Sequence, residues 1–481
     1  RDQLVAELNQ RVKVTTVSAS DGTYNLFFGS GQQLVVGSTA IELTAQESKA
    51  DPSKVAVGLN VGVNQELPDS LIVGGELGGL ISFRNQALEG AANEIGRVAA
   101  SMALTFNAQH ALGQDLTGNI DGDPGFVGDF FKIPDPRVIA NKDNSATITV
   151  DDITASFAPP SAPGSPDYTG NFSTALTNSN YQLQFTNGTG GYSLTRLNDN
   201  VVVSSGTLAA GASLTVDGVK IDVAALGSNG DKFVIKPSAE IARDLTVNTR
   251  IAADPRLVAA AAPVKASPTI TNAGSMTLSQ GVVGAQEDGS QYDASALPIT
   301  LTASATQLSG VPTGWRAVYS DGSVVPPMSS PAGTGNVALD IGSTTLSRLT
   351  FEGMSFEVNG KPAAGDTFKI ERNTGGVQDS RNAVLLAKLQ TQNTTGGGTA
   401  SFQSSYARLV AENGIMTREA KVQMDARSSV LTQTQATRDS LSAVNLDEEA
   451  ANLLKFQQAY QASAKILDIG GKLFESILAI G

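Results

Sequence analysis

Apolar residues return every three or four positions towards the two ends of this sequence and every second position through its middle, so the period itself divides the chain. Helical spacing opens at "RDQLVAEL", with Leu4, Val5 and Leu8 on one side. The first residue is Arg1, as though a helix were entered partway along, and a native N-terminal segment carrying any targeting signal is expected ahead of it. "TYNLFFGSGQQLVV" alternates around Gly29 and Gly31, the pattern of a hairpin. A long amphipathic helix is predicted from Glu76 to Leu112, with Leu80, Phe83, Leu88, Ile95, Val98 and Leu104 facing a core. From about 141 to 375 short alternating runs are separated by turn residues, which predicts β domains, and "AAAAPVKASPT" at 259–269 reads as a linker between them. Helical spacing then resumes: "DSRNAVLLAKL" is a helix, "NTTGGGTA" a flexible break, and Phe402 to Val444 a long, weakly amphipathic helix with one internal Gly and no Pro.

The middle region contains a repeat. "VDGVKIDVAALGSNGDKFVI", from Val216, aligns without a gap with "FEGMSFEVNGKPAAGDTFKI", from Phe351, at an offset of 135 residues. The matched pairs include Gly218/Gly353, Val223/Val358, Asp231/Asp366, Phe233/Phe368 and Ile235/Ile370. Apolar residues two apart on each side of a Gly-Asp turn give a strand, turn, strand unit with one inward face. Upstream, "YQLQFTNG" from Tyr181 aligns with "WRAVYSDG" from Trp315, which extends the expected similarity to a whole domain. The predicted fold class is therefore α+β and multidomain: long terminal helices form an α-rich domain, and two related, mainly antiparallel β domains are inserted between them. The expected segments are 1–140, 141–262, 263–375, 376–444 and 445–481.

Composition narrows the chemistry. The 481 residues include no cysteine and one histidine, His110, which removes disulfides, thiol catalysis and most metal and triad chemistry. A net charge of -13 argues against nucleic acid or an anionic membrane as partner, and no run has the 18 apolar residues of a membrane span. "NIDGDPGF" fails the calcium-loop pattern, because Pro124 and Phe130 stand where Gly and Glu are required. "GGELGGL" lacks the Gly-Lys-Ser/Thr of a phosphate loop and reads as close packing at a helix start. His110 has no evident nucleophile or orienting acid and is read as structural. No catalytic, cofactor or metal site is expected, and the sparse inventory points to a structural or interaction role.

The most specific signal is at the C-terminus. In "NLDEEAANLLKFQQAYQASAKIL", Asn445 can cap a helix, Glu448 completes a capping box, and Asp447 and Glu449 complement the helix dipole. Beyond the cap, Leu446, Ala450, Leu453, Gln457, Tyr460, Ala464, Leu467, Gly471, Phe474 and Leu478 follow steps of four and three, the spacing of a coiled-coil seam. One edge is large, Leu446, Leu453, Tyr460, Leu467 and Phe474, and the other mostly small. With Gly470-Gly471 and a break at 441–446, the helix is marginal alone and needs a partner.

That same stretch resembles the C-terminal signature of the family of flagellar rod, hook and hook-associated proteins. "RDQLVAEL", "GGELGGLISFRNQAL", "FNAQHALGQDLTG", "GDFF" and "GKPAAGDTFKI" place the resemblance among the junction proteins between hook and filament, over the whole chain. It implies a secreted, extracellular subunit of the bacterial flagellum, exported by the type III apparatus and assembled into a ring. The implied partners are copies of itself, hook protein, the second junction protein (hook-associated protein 3) and an export chaperone on the C-terminal region. It also implies that 445–481 belongs to an inner helical layer, and that the ten seam residues are the assembly and chaperone-binding stripe. The chain departs from the family pattern in lacking its N-terminal helix. The other reading of the sequence is a secreted adhesin whose tandem β domains bind a surface ligand; an enzyme embedded in those domains has no motif to support it.

Overall fold

A computed structural model describes residues 1–20, 22–29, 31–161, 171–284, 292–326, 339–342, 345–442 and 446–479. The chain divides into two units, Arg1–Ala411 and Glu412–Gly481. The fold is α+β and multidomain, with helices at both ends and antiparallel sheets between them.

The first unit opens on helix α1, Asp2–Arg11, followed by a four-stranded sheet within Val14–Ala40 and a three-stranded sheet within Glu42–Glu66. The expected hairpin is present: Tyr24–Phe28 pairs with Gln32–Val36, inside a larger β element than the alternation alone predicted. Val12, Leu26, Phe28, Leu34 and Ile72 form its core. The Gly-rich stretch behaves as a packing device. Gly74 and Gly75 have φ of 79° and 67°, and a Cβ on Gly75 would sit 2.7 Å from the Arg11 carbonyl oxygen, so helix α2, Gly75–Ser82, starts hard against the end of α1.

Helix α2, a π turn at Phe83–Leu88, and helix α3, Glu89–Ala111, run on as one long helix. Its extent matches the sequence prediction, but its face does not. Leu80, Phe83, Leu88 and Ile95 are 66, 61, 57 and 44% exposed, and Val98 and Leu104 are only half-buried. The buried face carries small and polar residues: Gly96, Ala100 and Ala103 beside Glu94, Arg97, Ser101, Asn107, Gln109 and His110. The reason is that this face packs through close main-chain approach and polar contacts rather than through large apolar side chains. Asn107 exchanges two 2.8 Å hydrogen bonds with the main chain of Phe131, and Gln109 donates to Asn382 Oδ1 at 2.7 Å. Glu94 lies buried against Arg97 and is also reached by Arg408 at 3.4 Å. Burial pushes the Glu94 carboxyl up, but the two guanidinium groups outweigh it and hold it below the usual carboxylate range.

Two β bodies follow. In the first, a five-stranded sheet ordered Val201–Thr207, Gly191–Arg196, Tyr181–Phe185, Lys232–Lys236, Arg137–Ala140 faces a three-stranded sheet of Ile153–Phe157, Val219–Val223 and Ala212–Val216. In the second, a sheet led by Val264–Pro268, Thr367–Arg372 and Ile299–Ala303 faces one built on Met354–Asn359, Leu346–Phe351 and Arg316–Tyr319.

The 216/351 repeat is reproduced in detail. Both hairpins turn on two residues of positive φ, Asp217-Gly218 (49° and 76°) and Glu352-Gly353 (47° and 68°), the geometry of a type I′ turn. Gly230 and Gly365 have φ of 97° and 94°. Asp231 is buried and accepts from the Ser145 and Ser228 amides at 2.7 Å; Asp366 is buried and accepts from Ala273, Gly274 and Ala363 amides at 2.7 to 3.0 Å. A further pair, Asn144 and Asn272, clamps the main chain of Lys232 and of Thr367 in the same two-bond manner. Sequence alignment missed that pair because its spacing differs between the two copies.

The upstream match is overturned. Tyr181–Phe185 pairs with Lys232–Lys236, whereas Arg316–Tyr319 pairs with Leu346–Phe351, a different place in the sheet pair. The counterpart of Tyr181–Phe185 is Ile299–Ala303: Phe185 and Ala303 each donate to the carbonyl of the turn aspartate and accept from the preceding glycine amide. Hydrogen-bond position defines the repeat there, while the side chains have diverged.

These aspartates predict an acid dependence. Burial pushes the Asp231 carboxyl up, yet the Ser145 and Ser228 donors outweigh it; Asp366 is held down foremost by the Ala363 amide. Both carboxyls therefore lie below their ordinary value, so their contribution is intact above about pH 4 and is lost as pH falls through the folded value. Asp231→Asn and Asp366→Asn, which turn an NH2 towards amide donors, are expected each to lower the melting temperature at pH 7 by a few degrees. They should also flatten its dependence on pH below 4, as followed by circular dichroism.

Two stretches expected to be loose are packed. Ala259, Ala261 and Ala262 are buried, and Val264–Pro268 is a strand, so the Ala-rich segment is core rather than linker; small side chains let the main chain lie close to Gln114 and His110. "NTTGGGTA" is an ordered turn. Thr394 and Thr395 are fully buried, Gly396, Gly397 and Gly398 all have positive φ, and Thr174 is bonded at both its amide and carbonyl to this turn. Helix α4, Arg381–Lys388, precedes it, and helix α5, Phe402–Ser442, begins in the first unit and continues into the second.

Candidate assembly surface

Helix α6, Leu446–Leu478, carries the predicted seam. Asn445 lies outside the described residues, as does the side chain of Leu446; Asp447, Glu448 and Glu449 occupy the first turn as expected. Ala450, Leu453, Gln457, Tyr460, Ala464, Leu467, Gly471, Phe474 and Leu478 are all exposed. Leu453, Tyr460, Leu467, Phe474 and Leu478 are each at least 69% exposed, so the seam forms a line of large apolar side chains in water. A solvated apolar line of this size is a candidate interaction surface.

The surface is broader than the seam. Phe456, 72% exposed, is three residues from Leu453 and four from Tyr460 and thickens the stripe. Leu454 is exposed on the other flank. Ile466, Ile469, Leu473 and Ile477 make a second line at helical spacing, all exposed. Lys465, Asp468, Lys472 and Glu475 are confined to the remaining sector, where Lys472 bonds Asp468 at 2.8 Å. The first half of α6 thus shows a stripe and the second half an apolar arc around more than half its circumference. Counting apolar residues on the two flanks of the heptad positions would have revealed this; a single 3.5-residue period does not.

Gly470 and Gly471 have no atom within 4 Å of a built Cβ. Each costs about 1 kcal/mol in a helix interior relative to alanine. Among the described residues nothing packs close enough to call for them, whereas at Gly96 a Cβ would overlap the Ser238 carbonyl. Residues 412–442 of α5 are mostly polar, with exposed apolar residues such as Ile415, Val422, Met424, Val430 and Leu431 among them, and hydroxyls such as Thr417, Thr432 and Thr437 are bonded back to the carbonyl four residues earlier.

The remaining candidates are structural. His110 is fully buried; the Ala259 amide donates to Nε2 at 2.9 Å, so Nδ1 carries the proton and donates to Gly128 O at 2.9 Å. Burial pushes its pKa down, which keeps the ring neutral as a pin between three segments. In the acidic turn, Asp115 accepts from the Thr117 and Asn119 amides and Asp123 from the Ile120 amide. Among the described residues, no group of three or more His, Asp or Glu side chains is placed to hold a metal, and no helix is long and apolar enough to cross a membrane. Trp315 is buried in the second β core.

Comparison with known proteins gives three matching family models. The flagellar hook-associated protein FlgK helical domain matches residues 1–126, the D2-like domain of flagellar hook-associated protein 1 matches 164–237, and the flagellar basal body rod FlgEFG protein C-terminal model matches 438–480. Flagellar hook-associated protein 1 of Salmonella typhimurium is 29% identical over the whole chain, and that of Escherichia coli 28%. The chain spans 64% and 63% of the length of these two relatives. Among solved structures, the flagellar hook junction protein FlgK from Burkholderia pseudomallei is similar with a TM-score of 0.74 and 30% identity, covering 92% of this chain and 78% of that one.

Proposed function

The chain belongs to the flagellar hook-associated protein 1 family, and from that premise we propose that it is a structural, non-catalytic subunit of the bacterial flagellum at the junction between hook and filament. The observation that carries this reading is the bare apolar seam of α6, which falls within the residues matched by the rod-protein C-terminal model. A helix that exposes Leu453, Tyr460, Leu467 and Phe474 at the cost of two unneeded glycines is built for contacts outside its own chain.

In this reading Leu446, Ala450, Leu453, Gln457, Tyr460, Ala464, Leu467, Gly471, Phe474 and Leu478 form the assembly stripe, first shielded by an export chaperone and then covered by neighbouring copies in a ring. Hook protein lies on one side of that ring and hook-associated protein 3 on the other, outside the cell, with no membrane or nucleic acid engaged. Residues 1–140 and 376–444 make up the axial domain, and the β bodies of 141–262 and 263–375 project from it. An adhesin finds no support among the relatives named above.

The test is complementation. In a hook-bearing strain deleted for its own junction protein, the gene that encodes this chain should restore filaments on hooks; expression and export with bare hooks would reject the proposal.

A further inference from the structure

Among the described residues five asparagines are buried, and three of them are fully used: Asn107, Asn373 and Asn382 each donate through Nδ2 and accept through Oδ1. The other two are not. Asn93, on α3, is 3% exposed and Asn180, just ahead of strand Tyr181–Phe185, is 8% exposed, yet among the described residues neither side chain makes a hydrogen bond. Asn180 Oδ1 is a buried acceptor with no donor. A carboxamide has two donors and two acceptor lone pairs, and burying them unmet costs stability. Both residues line one cavity of about 420 Å³, between α3, Ser53–Val55 and the first β body, a size that holds small ligands.

The rest of the lining sets what can fit. Lys54 pairs with Glu89, Arg84 with Asp69 and Lys236 with Asp51, so the cavity holds charge but no excess of either sign. An anion or a cation would have to break an ion pair that already exists. Val55 and Leu88, 62 and 57% exposed, add apolar surface to the lining beside the two amides. A matching guest is neutral, carries both donors and acceptors, and shows C–H surface. Water meets the first two conditions and leaves the apolar side unused; a sugar ring, with hydroxyls at its edge and C–H groups on its faces, meets all three.

We propose that this cavity binds a neutral monosaccharide unit, with the Asn93 and Asn180 carboxamides hydrogen-bonded to its hydroxyls. The proposal does not depend on the assembly role of α6, because the cavity lies wholly in the first unit. It also gives the two asparagines a use that offsets their cost: a chain that bound nothing here would be more stable with leucine at either place.

The probes are glucose, galactose, mannose and N-acetylglucosamine, each titrated against the full 481-residue chain by saturation-transfer difference NMR, with glucuronate as a charged counterpart. At least one neutral sugar should bind with a dissociation constant of about 1 mM, as expected of so small a ligand, and glucuronate no more tightly than the best of them. Asn93→Leu and Asn180→Leu should each weaken that binding at least about tenfold, from the loss of hydrogen bonds to one carboxamide, while the melting temperature of the free chain stays unchanged or rises. No binding by any of the four sugars would overturn the proposal and leave water as the occupant. Equal binding with and without Asn93→Leu and Asn180→Leu would overturn it, and so would tighter binding of glucuronate, which would make the cavity an anion site. A lowered melting temperature in both variants would overturn it as well, by showing that the amides serve the chain's own fold.

Discussion

Leu453→Asp combined with Tyr460→Asp is expected to leave hooks without filaments in the complemented strain, while the melting curve of the purified chain stays where it was. Both side chains are more than 70% exposed, so the chain's own fold does not use them. In an assembled seam each would be buried, and burying one such side chain contributes about 1.5 to 3 kcal/mol. Two carboxylates on one seam replace that gain with a desolvation cost, so the association constant should fall by more than about a thousandfold. Counting filaments by electron microscopy beside a thermal melt separates the two effects. Filaments at normal number would reject the seam; a collapsed melt would show that α6 supports its own unit instead.

Gly96→Ala should have the largest effect on stability of any single methyl group added to the helices. A Cβ at Gly96 would stand 1.7 Å from the Ser238 carbonyl oxygen, which is backbone and cannot rotate aside. Helix α3 would have to lift from the segment before Ile241, a residue in the core of the first β body. We expect a loss of about 3 kcal/mol or more, in the range of severe overpacking. Gly90→Ala is the control in the same helix: nothing lies within 4 Å of its Cβ, and a gain of about 0.5 to 1 kcal/mol is expected from helix propensity. Opposite signs in paired denaturant titrations would verify the close approach. Equal, small effects would show that α3 does not pack on Ser238.

The two glycines also mark how far the sequence could be read. Periodicity located the helix from Glu76 to Leu112 correctly, but assigned its large residues to the core. An apolar stripe says that a face is to be buried, not by which molecule. Here the chain's own contacts use Gly96, Ser101 and Gln109, residues that suit hydrogen bonds and close backbone approach and carry no hydrophobic signal. The same blindness affected Ala259–Ala262 and Thr394–Gly398: alanine, threonine and glycine are ambiguous in sequence and become core when main chain passes close by. The Gly-Asp repeat was legible because Asp231 and Asp366 need identical surroundings to be buried, while Tyr181 and Trp315 aligned by side-chain type and belong to different strands. On α6 the seam followed from its steps of four and three; Phe456 and the line from Ile466 to Ile477 fall outside a single period and needed the whole surface to be seen.

The central claim is that the seam of α6 is bare in the free chain and covered in the flagellum. Because the sequence has no cysteine, Tyr460→Cys creates a unique thiol, and Thr434→Cys on helix α5 an exposed control. Labelling with a maleimide should be equally fast at both positions in the purified chain. In isolated hook-filament junctions the account predicts slow labelling at Tyr460→Cys, by at least about a hundredfold relative to the free chain, as for a residue in a packed interface core. Labelling of Tyr460→Cys at the same rate in junctions and in the free chain would contradict it.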